Sequence, residues 1–94
     1  MKVEWHPRAR VDLIEAIESI AAENLDAAYR VHDAIAGQIK MLARHPEMGR
    51  AGRVSGTREL VVAGTPYLAA YRITGKTVTI LRVLHGARKW PKHL

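Results

Sequence analysis

The spacing of apolar residues changes period along this chain, and each change marks an element. Val3-Glu4-Trp5-His6 alternates in character and is too short for anything but an edge or central strand. From Pro7 the period lengthens: Ala9, Leu13, Ile14, Ile17, Ile20 and Ala21 recur at three- and four-residue steps, with Asp12, Glu15 and Glu18 on other faces. That spacing predicts an amphipathic helix over about residues 7–23. Pro7 suits its first turn, where the missing N–H would have been unpaired in any case. Asn24 reads as the N-cap of a second helix, with Asp26 in the first turn and Ala28, Val31, Ile35, Ile39 and Leu42 as its buried stripe. Arg44 and His45 sit at the negative end of the helix dipole, and Pro46 stops the helix. Gly37 weakens the interior by about 1 kcal/mol relative to Ala, so it is expected to mark a close approach of the two helices. So short a link makes them an antiparallel hairpin.

Residues 47–56 hold three glycines and two arginines and read as a surface loop. Three strands are predicted beyond it: Arg58–Val62, Tyr67–Thr74 and Thr77–His85, the last two joined by a tight turn at Gly75-Lys76. Gly86 breaks the last strand, and Ala87 to Leu94 form a basic tail. The expectation is one α+β domain spanning 1–94: an N-terminal strand, an antiparallel helical hairpin, then a three-stranded antiparallel sheet. A two-residue turn places Tyr67, Ala69, Tyr71, Ile73, Val78, Ile80, Arg82 and Leu84 on one face, and Leu68, Ala70, Arg72, Thr79, Leu81, Val83 and His85 on the other. Neither face is wholly polar. The helices cover only one, so apolar surface is left over for a partner.

Composition narrows the class. Nearly half of the 94 residues are apolar and none is cysteine, which excludes disulfides and thiolate metal sites and fits a reducing cytoplasm. No apolar run approaches a membrane span, and the N-terminus has no apolar signal core. The net charge of +6 is segregated. Residues 1–44 carry six Lys/Arg against seven Asp/Glu, whereas residues 45–94 carry nine against two. A field confined to one half attracts nucleic acid, nucleoprotein or an acidic partner, and a basic surface kept for solubility explains such segregation less well.

Standard chemical motifs are absent. The glycines of residues 49–56 lack the Gly-Lys-Ser/Thr ending of a phosphate loop and precede a strand. The five histidines are scattered, with no pair one helical turn apart and no neighbouring carboxylate placed to make a metal site, so neither a metal nor a cofactor is expected. What remains is a cluster of Arg58, Arg72, Arg82, His85, Arg88, Lys89 and Trp90. Arginine and lysine stabilise phosphate charge and histidine moves protons near neutral pH, a set that suits RNA cleavage or simple clamping on a polyanion. Arg82 stands out, because a charge between Leu81 and Val83 is not an idle surface group.

Pro66-Tyr67-Leu68-Ala69-Ala70-Tyr71-Arg72-Ile73 with Val78-Thr79-Ile80-Leu81-Arg82-Val83-Leu84-His85-Gly86-Ala87-Arg88 resembles the C-terminal sheet of RelE/ParE toxins. His45-Pro46-Glu47-Met48-Gly49-Arg50 leading to Arg58-Glu59-Leu60 resembles their helix-to-sheet connection, and Ala27-Ala28 fits the opening of their second helix. The resemblance covers nearly the whole chain. It implies a toxin of a type II toxin–antitoxin system, neutralised by an acidic antitoxin from the neighbouring reading frame. Such an antitoxin wraps the toxin with an extended or helical segment, and DNA is met only through it. The family divides by target. RelE-like members cut mRNA on the ribosome, and ParE-like members poison DNA gyrase. RelE-like nucleases usually carry an arginine where this chain has Leu68, and a lysine pair where it has Leu60-Val61-Val62-Ala63. Those departures favour gyrase, gripped by Arg58, Arg82, His85, Arg88, Lys89 and Trp90. As a nuclease, the chain would draw its catalytic groups from Arg72, Arg82, His85 and Arg88. The remaining alternative is a nucleic-acid-binding module without toxicity.

Overall fold

In the computed structural model, which describes residues 1–94, the first strand β1 (Lys2–Trp5) lies in the same sheet as the last, β5 (Thr77–His85). Between them in sequence come helices α1 (Pro7–Ala21) and α2 (Leu25–Lys40), a 3-10 turn at Met41–Ala43, and strands β2 (Arg50–Ala51), β3 (Arg58–Val61) and β4 (Tyr67–Thr74). The five strands run β1-β5-β4-β3-β2; β1 is parallel to β5 and every other pair is antiparallel. The α+β class and the order of strand, helical hairpin and antiparallel strands are those expected from sequence. The N-terminal strand takes one edge of the sheet, and one strand that was not expected, β2, takes the other. The anticipated loop over residues 47–56 contains β2, which forms because the buried Glu59 on β3 gathers Arg50 and Arg53 and so draws that segment against the sheet.

Both helices begin with side-chain caps. His6 Nδ1 accepts from the Arg8 N–H at 3.0 Å, and Asn24 Oδ1 accepts from the Ala27 N–H at 3.0 Å. The ends come earlier than expected: α1 stops at Ala21, and the second helix tightens into the 3-10 turn from Met41 before Pro46 is reached. Ile35, Ile39 and Leu42 enter the core with Ala9, Leu60, Val62, Ala69, Tyr71, Val78, Ile80 and Val83. On α1 the inward face is rotated from the one read in sequence. Asp12 is buried and Ile14 is 57% exposed. Gly37 marks no close approach either, since a Cβ there would meet nothing within 4 Å.

The tight turn is as expected, with Thr74 opposite Thr77 and Gly75 at φ +59°. The strands it joins are not regular. Ala70 pairs with Arg82 but Tyr71 pairs with Ile80, so Leu81 is an extra residue on β5. This bulge inverts the alternation beyond it. Val83 faces the helices, while Arg82 and Leu84 turn to the opposite face with Leu68, Ala70, Arg72 and Thr79, correcting the faces read from sequence. That second face is not left bare: Leu68, Ala70, Leu81 and Leu84 are all buried within the chain. The C-terminal tail reaches it, with His93 and Leu94 sharing a cleft with Leu81 and Arg72. The leftover apolar surface lies instead on the hairpin, at Val11, Ile14, Leu25 and Tyr29, and at Met41, Met48 and Val61 near the β2 edge.

Candidate target-binding surface

The basic cluster is assembled around β5. Its partner β1 ends where Trp5 meets Ile80, followed only by the His6 N–H donating to the Ile80 carbonyl at 2.8 Å. The outer edge of β5 beyond that point has no neighbouring strand, and a buried N–H there would be unpaired. Asp12 supplies the partner. Its Oδ2 accepts from the Val83 N–H at 3.0 Å and from Arg82 Nε at 2.7 Å, while Oδ1 accepts from Arg82 Nη2 at 3.1 Å. Arg82 is thus a buried, bidentate partner of Asp12. The Asp12 hydrogen bond raises the guanidinium's already high pKa; burial opposes this, and the charges of Asp12 and Glu15 add to it.

Arg58 is also internally engaged. Its Nη1 donates to the Gly49 carbonyl at 2.8 Å and the Glu47 carbonyl at 3.3 Å, bracing the helix-to-sheet crossing. Tyr71 braces the same crossing from beneath: its hydroxyl donates to the Pro46 carbonyl at 2.7 Å and accepts from the Gly49 N–H at 2.8 Å. Burial pushes the Tyr71 phenol above its usual pKa despite the opposing Gly49 N–H. A Cβ at position 49 would lie 2.6 Å from that hydroxyl, so glycine is required by space. Glu59 accepts from Arg53 N at 2.8 Å and Nε at 3.1 Å, and from Arg50 Nη2 at 3.3 Å. Burial works against its charge, but the Arg53 hydrogen bonds and charge, with Arg50, prevail and hold the carboxyl below its ordinary pKa. Arg53 also stacks on Trp90, its guanidinium carbon 4.0 Å from the ring centroid, which ties the tail to this network.

The remaining cations are exposed. His85 ends β5 with the Tyr67 ring edge-on at 5.6 Å, and its Nδ1 accepts from the Ala87 N–H at 3.0 Å, which leaves the neutral ring's proton on Nε2. Arg88 and Lys89 follow in the exposed turn after it. Arg72 lies on the other side of the sheet, in a cleft with Arg82, Arg8, His6 and His93. The structure therefore divides the cluster read from sequence. His85, Arg88 and Lys89 stand together at one strand end, Arg72 and Arg82 share the opposite face, and Arg58 and Trp90 are held by loop partners. Sequence reading missed Asp12, Glu59 and Arg53, whose partners are distant or structural, and also Arg8, His6 and His93 at the Arg72 cleft. Only the i,i+4 spacing of Arg8 and Asp12, whose charges lie 3.9 Å apart, gave a local hint.

A small basic α+β domain with a helical hairpin beside β1 and a wide antiparallel sheet is the architecture of a class of bacterial toxins. The chain belongs to the ParE toxin family of type II toxin–antitoxin systems, whose family model matches residues 3–90. It is 41% identical to the protein named toxin Y4kP of Sinorhizobium fredii, over 99% of this chain and 96% of that one. It is 34% identical to toxin RelE2 of Caulobacter vibrioides, over 93% of this chain and 97% of that one. A solved structure of the chromosomal ParDE system from P. aeruginosa superposes with a TM-score of 0.82 at 27% identity, covering 90% of this chain and 95% of the matched chain.

Proposed function

We propose that this toxin arrests growth in the cytoplasm by gripping DNA gyrase rather than by cutting RNA. One observation supports the reading: the four nuclease candidates named from sequence, Arg72, Arg82, His85 and Arg88, are not gathered at one point. Arg82 gives Nε and Nη2 to Asp12, and the β5 bulge puts Arg72 on the opposite face from His85, the one candidate proton carrier at the strand end. General acid–base catalysis needs donor and acceptor within hydrogen-bond reach of one reacting centre, and no such centre joins His85 to Arg72. A binding surface needs only exposed charge of one sign, which Arg88 and Lys89 provide beside the His85 ring. Arg58, Arg82 and Trp90 then act behind that surface, holding its shape.

The reading includes an antitoxin. Val11 and Ile14 on α1 and Leu25 and Tyr29 on α2 expose apolar surface that a small monomer rarely leaves open, and an amphipathic segment of an acidic partner would cover it. Promoter DNA would be met through that partner alone. Induction of the toxin without antitoxin is expected to relax plasmid DNA and induce DNA damage, with no new message ends by primer extension. Codon-positioned cuts in translated messages, with supercoiling intact, would establish the endonuclease reading instead.

A further inference from the structure

The Arg72 cleft is built unlike the rest of the surface. It measures about 460 Å³, and it brings together His6, Arg8, Arg72, Arg82, His93 and Leu94 from the β1–α1 junction, the two central strands and the tail. Asp12, behind Arg82, already accepts two bonds from Arg82 and one from the Val83 N–H. Glu15, one turn further along α1, adds negative charge near Arg82 but does not line the cleft. Arg72 has no carboxylate within ion-pair distance, and Arg8 has only the distant edge of Asp12 at 3.9 Å. Asp12 engages Nε and Nη2 of Arg82, which leaves Nη1 without a protein partner. The Arg82 side chain keeps 10% of its surface exposed and lines the cleft. His6 accepts at Nδ1 from the Arg8 N–H, so its neutral ring is left with Nε2–H as a donor.

We propose that this cleft binds the phosphoryl group of a phosphate ester. Guanidinium forks match phosphate and carboxylate oxygens alike, but one carboxylate is satisfied by a single fork. The cleft offers the donors of three arginines and two imidazoles, a number suited to the several terminal oxygens of a phosphoryl group. The cleft has room beside the phosphoryl group for the substituent of an ester. Two sources share that chemistry: a free nucleotide and a phosphate of a nucleic-acid backbone. The site does not depend on which macromolecule the toxin poisons.

The test is calorimetric and NMR titration of the purified full chain with AMP, with a single-stranded oligonucleotide, and with acetate as a carboxylate control. Saturable AMP binding that shifts the His6 and His93 ring resonances supports the proposal with a free nucleotide as source. Saturation by the oligonucleotide alone, with the same resonances moving, supports it with a backbone phosphate. Arg72→Ala and Arg8→Ala, both exposed side chains whose removal leaves the Asp12–Arg82 pair intact, are each expected to weaken binding roughly fivefold or more. Lys76→Ala, at the far hairpin turn, should leave it unchanged. Binding that is equal in the Arg8→Ala/Arg72→Ala double variant, acetate binding as tight as AMP, or no saturation by either phosphate ligand would overturn it.

Discussion

Arg82 shows how one residue can be conspicuous in sequence for a reason that only the fold supplies. A charge between Leu81 and Val83 invites a functional reading, yet its partner is Asp12, some 70 positions away, and nothing local signals that pairing. Removing one member of a buried pair leaves the other charge uncompensated. Asp12→Ala should therefore cost about 3–5 kcal/mol, read as a lowered denaturant midpoint, because it strands Arg82 and unpairs the Val83 N–H. Arg82→Ala should likewise abolish toxicity by unfolding, and a native circular-dichroism melt for an inactive Arg82→Ala would show that the side chain acts on the target directly. Glu59 gives a pH signature. Its carboxyl lies below its ordinary pKa of 4.5 in the folded chain, so its contribution is fully present above that value and is lost as pH falls through the lower native value. Wild type should lose stability on acidification through that window more steeply than Glu59→Gln, and parallel pH–stability curves would contradict the assignment.

At the scale of elements, periodicity did most of what it can do. The helices, the three C-terminal strands and the Gly75 turn were legible because each is a local pattern. What escaped was decided by pairing: β2 is two residues held by Glu59, and the bulge at Leu81 has no composition of its own. Since one extra residue reverses every face beyond it, a regular-strand reading assigned Arg82, Val83, Leu84 and His85 to the wrong sides. Two glycines separate spatial from conformational demand. Gly37 sits in open helix, so Gly37→Ala should stabilise by up to about 1 kcal/mol. Gly75 has φ +59°, so Gly75→Ala should destabilise by about 1 kcal/mol despite equal room for a Cβ. Thermal melts showing the same sign for both would refute this distinction.

For the whole molecule, the segregation of charge was visible in sequence, but the identity of the exposed cations was not. Arg50, Arg53, Arg58 and Arg82 carry much of the basic half's formal charge and spend it on Glu59, carbonyls and Asp12. Arg88 and Lys89 beside His85 at the strand end, Arg72 on the other face, and Lys76 and Lys92 are left to meet a partner. No helix is long and apolar enough to cross a membrane, and the apolar surface that remains lies on the hairpin and near the β2 edge of the sheet. The family-level resemblance spans the chain, whereas the choice of target rests on which side chains converge. The most direct test is a supercoiling assay with purified gyrase and purified toxin. Wild type should inhibit at stoichiometric levels, with His85→Ala, Arg88→Ala and Lys89→Ala each weakening inhibition by degrees, as a distributed grip requires. Gyrase unaffected at saturating toxin, with growth arrest still abolished by His85→Ala alone, would contradict it.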